Sequence, residues 1–431
     1  MTIRPSSLPK DPGPSGSQGH PVVIVGAGVS GLCCALHLQE RGFRVLLLEA
    51  DADVGGRVRT DCVDGFLLDR GFQVLLTAYP EAQDMLDLDA LRLGSFAPGA
   101  MVRTGSRFAR IVDPFRRPGD ALGTLFSGVA TPLDALRIAR LRRRVGRGAP
   151  QDLLGGSSHA TLDTLRGEGF SERIIEGFFR PFLGGVLLDR ELRGSSRAFD
   201  FLFRMFAEGD AALPAQGMGA IPSQLAARLA PGTLRTRTRV ARLDRSGVRL
   251  ESGEGIDAAA VVVATAARAA AKLIAGLPVP EANPACCLQF DAPRAPAVGD
   301  FLVLDGSDEG PVNELCVPSH VVPRYAPPGR ALVSASMLAP VPPDDEALEA
   351  AVRRQLTGWF GPEVSTWRLL RIDRIADALP FQPPGPFEPA GRSAQLSERL
   401  FICGDHRDLA SLQGAMASGR RAAIEVAEAL R

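Results

Sequence analysis

The chain has 431 residues, with 49 basic and 49 acidic side chains and no formal net charge. That length allows two domains with sizeable cores, and the even balance provides no field to draw in nucleic acid, which is excluded as an expected partner. Seven cysteines include two adjacent pairs and no CxxC spacing, a pattern that is neither a disulfide framework nor a zinc site; it suits a reducing, cytoplasmic setting with no metal.

The first 20 residues, MTIRPSSLPKDPGPSGSQGH, are rich in Pro, Gly and Ser, and a disordered leader is expected there, not a signal peptide. No run of about 18 uninterrupted apolar residues follows, so membrane contact is expected to be peripheral at most. Residues 22–31 read VVIVGAGVSG. The β-branched run 22–25 predicts a strand buried on both faces. Gly26, Gly28 and Gly31 then give GxGxxG, residues 32–41 turn helical, and Gly42 stands where a glycine would end the helix. A second strand over 43–48 ends at Glu49. Each part has a task in holding a dinucleotide. Gly26 permits the tight turn, Gly28 admits the pyrophosphate, and Gly31 lets helix and strand pack. The helix N-terminus faces the phosphates, and Glu49 accepts from the ribose hydroxyls while repelling a 2′-phosphate. In the following ADADVGGRVRTD, Arg57 after Gly55 and Gly56 either reaches back to the pyrophosphate or is an exposed loop arginine.

Residues 76–213 are expected to be mostly helical. RIARLRRRVGRG places Arg137, Arg140, Arg144 and Arg147 on one helical face and Ile138, Leu141 and Val145 on another. That face is either merely solvated or rests on an anionic membrane. Phenylalanines cluster at 178, 179, 182, 199, 201, 203 and 206; they either pack a core or line an apolar tunnel. A helix over 223–229, alternating strands and a buried strand over 261–264 follow. Residues 285–293, 299–305, 312–319 and 331–338 alternate as in an antiparallel sheet, Asp345–Phe360 reads as a helix capped by Asp344, and 365–375 returns as a strand. The strand 399–403 ends at Gly404–Asp405 before a last helix. There a carboxylate can bond a ribityl hydroxyl, and the helix N-terminus near Gly414–Ala415 can face a ring that becomes anionic on reduction, a need of flavin and not of nicotinamide. The plain alternative is a strand and helix completing the sheet. No second GxGxxG follows a strand, so one dinucleotide is expected and no separate NAD(P)H site.

GAGVSG, Glu49, GGR and the terminal GD…QGAMASGRRAA, in this order, resemble the flavin-containing amine oxidoreductase superfamily. LLDRGFQVLLTAYPEA and FFRPFLGGVLLDREL are similar to its phytoene-desaturase-like subgroup. The resemblance implies an α/β fold in which a discontinuous Rossmann-like FAD-binding domain (21–75, 214–265 and 396–431) is threaded through an α+β substrate domain (76–213 and 266–395) with an antiparallel sheet. It implies FAD as cofactor, held by Gly26, Ala27, Gly28, Val29, Ser30, Gly31, Glu49, Ala50, Gly56, Arg57, Gly404 and Asp405. The Val240 backbone would meet the adenine, and Gly71, Phe72 and Gln73 with Gln413, Gly414 and Ala415 would lie by the ring. The expected activity is hydride transfer from an apolar, isoprenoid or polyene-like substrate to flavin N5, with oxygen, a quinone or another acceptor restoring the flavin.

Amine oxidation is an alternative that two departures weaken. LASLQ (409–413) lacks the aromatic that family amine oxidases carry before the Gly-Ala of the last helix. Lys10 and Lys272 are the only lysines, one in the leader and one in an alanine-rich stretch. Redox-neutral isomerisation and a purely structural flavin are further alternatives. No catalytic residue is identified. His406 beside Asp405 and Arg180 are each more simply structural than chemical.

Overall fold

The strand Val22–Val25 is buried along its whole length and pairs in parallel with Val45–Leu48 on one side and Ala260–Val263 on the other. These form the centre of a six-stranded sheet that Leu234–Arg235 extends at one edge and Leu400–Ile402, then Gln395–Ser397, at the other. All pairs are parallel except the last. Runs of Val, Leu and Ile suit this position because both faces are covered. Val22, Ile24, Leu47, Val262 and Phe401 pack beneath helices, whereas Val23, Val25, Leu46, Val261 and Ile402 pack against a three-stranded meander that includes Val248 and Leu250.

The first helix, Val29–Glu40, ends as expected at Gly42, which has φ +82° and donates to the Gln39 carbonyl. It lies against the C-terminal helix, Leu412–Ala429. Gly419 makes that contact so close that a Cβ there would fall 2.3 Å from the Ser30 carbonyl oxygen. The described residues are 19–113, 115–116 and 128–431; in this computed structural model most of the expected leader, residues 1–18, lies outside them.

A seven-stranded sheet runs in the order Arg368–Pro380, Ala282–Ala292, Ala331–Leu338, Val312–Cys316, Leu302–Asp305, Gly99–Thr104, Arg107–Val112. The four central stretches and the returning strand match the alternation read in the sequence. The helix Asp345–Phe360 is present with Asp344 accepting from the Ala347 amide at 2.7 Å. It buries Leu348, Val352, Leu356 and Trp359 on one face of the sheet, against Leu288, Phe290, Val333 and Ala335.

The expectation of a mostly helical 76–213 needs correction. Gly99–Thr104 and Arg107–Val112 form a hairpin that joins this sheet, and Gly99–Thr104 runs parallel to Leu302–Asp305. The cause is local: Gly105-Ser106, with Gly105 at φ +54°, is a two-residue turn between alternating segments. The remainder of that region supplies helices, among them Pro132–Val145, Arg180–Leu187 and Ser196–Glu208.

Candidate active site

A cavity of about 1690 Å³ lies between the two sheets and is lined from both. At one end stands the glycine loop. Gly26 turns at φ +106°, a conformation strained for any residue with a Cβ. A side chain at Gly28 would meet no protein atom within 4 Å, so the backbone is open to a ligand there. The helix behind it has no side-chain cap and no acid in its first turn. Its free amides and positive dipole end therefore face the cavity without competition, as an anion requires. Gly55 closes the loop by donating to the Ala27 carbonyl at 2.8 Å. The Glu49 carboxylate accepts from the Ala27 amide at 2.7 Å and the Asp51 amide at 2.9 Å, which fixes it at the rim.

Arg57 is not a stray loop arginine. Its guanidinium donates to Asp405 at 2.7 Å and to the Ala378 carbonyl at 2.8 Å, and the Asp405 charge holds the arginine's proton more firmly than usual. Both residues line the cavity, joining the glycine-loop side to the terminal Gly-Asp across the molecule. Gln73 folds back and donates to the carbonyls of Arg57 and Arg70, both at 2.9 Å, so it fixes the loop that carries Gly71 and Phe72. Gly71 takes φ +75° with Ile375 of the opposite sheet pressed upon it.

Of the residues named from sequence, Gly26, Gly28, Val29, Ser30, Glu49, Ala50, Gly56, Arg57, Gly71, Phe72, Gln73, Val240, Gly404, Asp405 and Ala415 line the cavity. Ala27, Gly31, Gln413 and Gly414 stand behind it. Gly31 packs on the turn, where a Cβ would come 2.0 Å from the Gly26 carbonyl oxygen, and Gly414 packs on Leu409. Gln413 is buried and accepts from the Glu81 amide at 3.0 Å, and Glu81 in turn binds Arg420. His406 is also outside the lining. Burial pushes its pKa down to about 4, which leaves a neutral ring packed against Gly404. Arg180 is bound by Glu176 at 2.6 and 2.9 Å. Lys272 lines the cavity from a helix packed beside the strand that begins at Val240.

Beyond Gly71–Gln73 the walls turn apolar. Phe178, Phe182, Phe203 and Phe206 line the cavity, with Phe178 stacked on Phe182 at 5.4 Å and Phe206 edge-on to Phe182 at 5.1 Å. Phe199 and Phe201, by contrast, are wholly buried in core. The phenylalanine cluster thus divides between packing and lining. The helix Pro132–Val145 adds Ala135, Ile138 and Arg142. Two of the four basic-face arginines are engaged, Arg137 with Asp134 and Arg144 with Asp200 and Glu168, while Arg140 and Arg147 are exposed. The helix also leaves in water Leu133, 61% exposed, and Leu136, 60% exposed.

Sequence reasoning missed Tyr79, Cys287, Glu314, Ser336, Arg371 and Asp373, all cavity-lining. The last five lie on strands whose alternation was read. Following the polar positions of that alternation, and not only the apolar ones, would have found them. Asp69 of LLDRGF is not at the cavity. Buried, it accepts from Thr60, Tyr325 and the Met218 amide at 2.5, 2.7 and 2.9 Å, tying the hairpin Thr60–Asp69 to both halves of the chain.

The open Gly28 backbone, the uncapped helix end, the fixed Glu49 and the Arg57–Asp405 pair fit FAD. The glycine loop and Arg57 would hold its pyrophosphate, Glu49 its adenosine ribose, and Asp405 its ribityl chain. Likeness to known proteins bears on this. The chain is 28% identical over 173 residues to protoporphyrinogen oxidase 2, chloroplastic/mitochondrial, of Arabidopsis thaliana, covering 39% of this chain and 32% of that protein. It is 30% identical over 260 residues to phytoene dehydrogenase of Streptomyces griseus, covering 53% and 50%. The matched stretch therefore spans half or less of each of these relatives.

Among solved structures, an oxidoreductase from Methanosarcina mazei superposes with a TM-score of 0.71 at 18% identity over 95% of this chain and 100% of that one. Cyclohexylamine oxidase from Brevibacterium oxydans does so with 0.68 at 18% identity over 95% and 99%. Both share the fold. The pattern described as flavin containing amine oxidoreductase matches residues 29–427, nearly the whole chain. The chain belongs to the flavin-containing amine oxidoreductase family and is an FAD-dependent oxidoreductase.

Proposed function

We propose that the protein dehydrogenates an apolar, isoprenoid or polyene-like substrate. The observation that carries this reading is the continuity of one cavity from Gly71–Gln73 into the wall of Phe178, Phe182, Phe203 and Phe206. Burying a long hydrocarbon there gains roughly 25 cal/mol per Å² of apolar surface, and few polar groups compete for it. FAD, when bound, accepts hydride at N5. The chain's part is to seat the substrate, exclude water with its aromatic wall, and hold the ring end through Gln73 and Ala415. Oxygen or a quinone would restore the flavin. The relatives named phytoene dehydrogenase and 4,4'-diapophytoene desaturase (4,4'-diapolycopene-forming) support this substrate class. An amine substrate gains less support, because Ala410, Ser411 and Leu412 line the wall where an aromatic would stand, and Lys272 sits at the far end beside Val240.

The test is incubation of the holoenzyme with polyene hydrocarbons and an acceptor, followed by mass analysis. A product two hydrogens lighter supports dehydrogenation. A product of unchanged mass favours isomerisation, and oxidation of amines alone sinks the proposal.

We propose a membrane contact as well, on an observation separate from the basic face. Leu133 and Leu136 are exposed on the helix that also lines the cavity through Ala135 and Ile138. Exposed leucines at such a place suit collection of an apolar substrate from a bilayer. Leu133→Asp with Leu136→Asp should abolish sedimentation with phospholipid vesicles. If the unmodified protein does not sediment with them, the idea fails.

A further inference from the structure

The cavity-facing side of the seven-stranded sheet carries a row that the hydride transfer does not use. In register across four neighbouring strands stand Asp373, Cys287, Ser336 and Glu314, each directly opposite the next. Opposed residues of a sheet point to the same face, and all four line the cavity. Leu288, Leu315, Ala335 and Ile372, each one position away in sequence, face the other way, into the core beneath the helix Asp345–Phe360.

The first members of the row are engaged. Asp373 is bound by Arg371 at 3.0 Å and accepts from the Gly71 amide, and the Cys287 thiol meets Ser334 at 3.2 Å. The last two are left short of partners. The Ser336 hydroxyl is out of water and makes no hydrogen bond of normal geometry, its side-chain contact being the neighbouring Cys287 thiol. Glu314 is 5% exposed, and among the described residues no hydrogen bond or ion pair reaches its carboxyl. The charged groups of the surrounding elements are engaged elsewhere, Arg180 with Glu176, Arg190 with Asp308 and Asp305 with Gln355. Burial alone therefore pushes its carboxyl up to about 8, and it stands neutral at pH 7, able to donate as well as accept.

Space has been left for this acid. Gly185, in the FLGG stretch of the helix Arg180–Leu187, lies against it so closely that a Cβ would fall 2.0 Å from Glu314 Oε2. A buried polar group without a partner costs stability, and a chain that keeps one in an apolar cavity, with a glycine opposite, has a ligand for it. Glu314 stands three strands from Asp373, about 14 Å at about 4.8 Å per strand. That places it well away from Gly71 and the ring end. It meets a remote part of a long substrate and not the reacting carbon.

We propose that Glu314 and Ser336 form a polar subsite that receives an uncharged oxygen function, a hydroxyl or carbonyl, carried by the otherwise apolar substrate. Glu314 is then a positioning residue, setting how far the chain enters before its reactive bond reaches the flavin. This rests on the apolar-substrate reading above.

The test uses holoenzyme and three probes, decane, 1-decanol and decylammonium, with binding read from the flavin difference spectrum. Decanol should gain roughly tenfold in affinity from Glu314, about 1.4 kcal/mol. Glu314→Leu should erase that gain and leave decane binding unchanged, with flavin content intact and a melting temperature no lower than the parent's. Glu314→Gln, which keeps a neutral donor and acceptor, should retain most of it. Loss in Glu314→Gln as complete as in Glu314→Leu, or tightest binding of decylammonium, would show an ionised carboxylate and overturn the proposal. Equal loss of decane and decanol in Glu314→Leu would make the residue structural and overturn it too. Failure of all three probes to bind would instead remove the apolar-substrate reading and this inference with it.

Discussion

At the end of the cavity formed by Gly26, Gly28 and Glu49, the ligand meets backbone: open amides, a helix terminus and one fixed carboxylate. At the end formed by Phe178, Phe182, Phe203 and Phe206 it meets side chains, packed ring on ring. The first end tolerates little change: an added carbon at Gly31 collides with the Gly26 carbonyl, and one at Gly28 would fill the space left for the ligand. The second can be reshaped ring by ring while the wall stays apolar. This contrast explains how one architecture keeps its cofactor while its substrate changes, and it assigns separate consequences to damage at either end.

The largest effect is expected at Gly31. Gly31→Ala would force a Cβ to 2.0 Å from the Gly26 carbonyl oxygen, at a cost of about 3 kcal/mol or more. The purified protein should be colourless and melt early; a yellow protein with an unchanged melting curve would break the account of this end. Glu49→Ala should be milder, since it removes acceptors from the Ala27 and Asp51 amides and from the ribose. FAD should bind ten- to a hundredfold more weakly, about 1.4–2.7 kcal/mol, as read by flavin retention on dialysis. Unchanged retention would remove Glu49 from the site.

Phe182→Ala acts at the other end. It removes the ring that both Phe178 and Phe206 contact. It should lower affinity for apolar ligands by about tenfold and leave the flavin in place. Loss of flavin with this substitution would mean that the two ends are not separable.

A separate effect, belonging to neither end, is on the pH dependence of stability. Glu314 has a raised folded-state pKa, so the unfolded chain releases its proton first as pH rises. Its contribution is therefore most favourable below about 4.5 and declines up to about 8. Glu314→Gln should flatten that decline in denaturant melts across this window; an unchanged slope would show that Glu314 ionises freely.

The same contrast governs what could be read from the chain. The glycine-loop end is legible because its demands fall on backbone within one short segment: VVIVGAGVSG must be strand, turn and helix in that order, and Gly42 must end the helix. The antiparallel strands 285–338 were legible through alternation. The hairpin Gly99–Val112 is hidden inside a region that reads as helical, although Gly105-Ser106 marks its turn. The pairing of Arg57 with Asp405 links residues 348 positions apart, and no local pattern announces it. The family resemblance puts Gln413 and Gly414 by the ring together with Ala415, but helical geometry turns successive residues by about 100°, and Gln413 and Gly414 face Glu81 and Leu409 instead. The row from Asp373 to Glu314 exists only once four strands are in register, so no single segment shows it.

The most direct test of a resident flavin sharing its cavity with an apolar substrate is the visible spectrum of the purified protein under anaerobic conditions, with polyene hydrocarbons added first and amines second. The account predicts a flavin spectrum that bleaches with a polyene and stays oxidised with amines. A flavin that bleaches with amines alone, or a protein that carries no flavin, would contradict it.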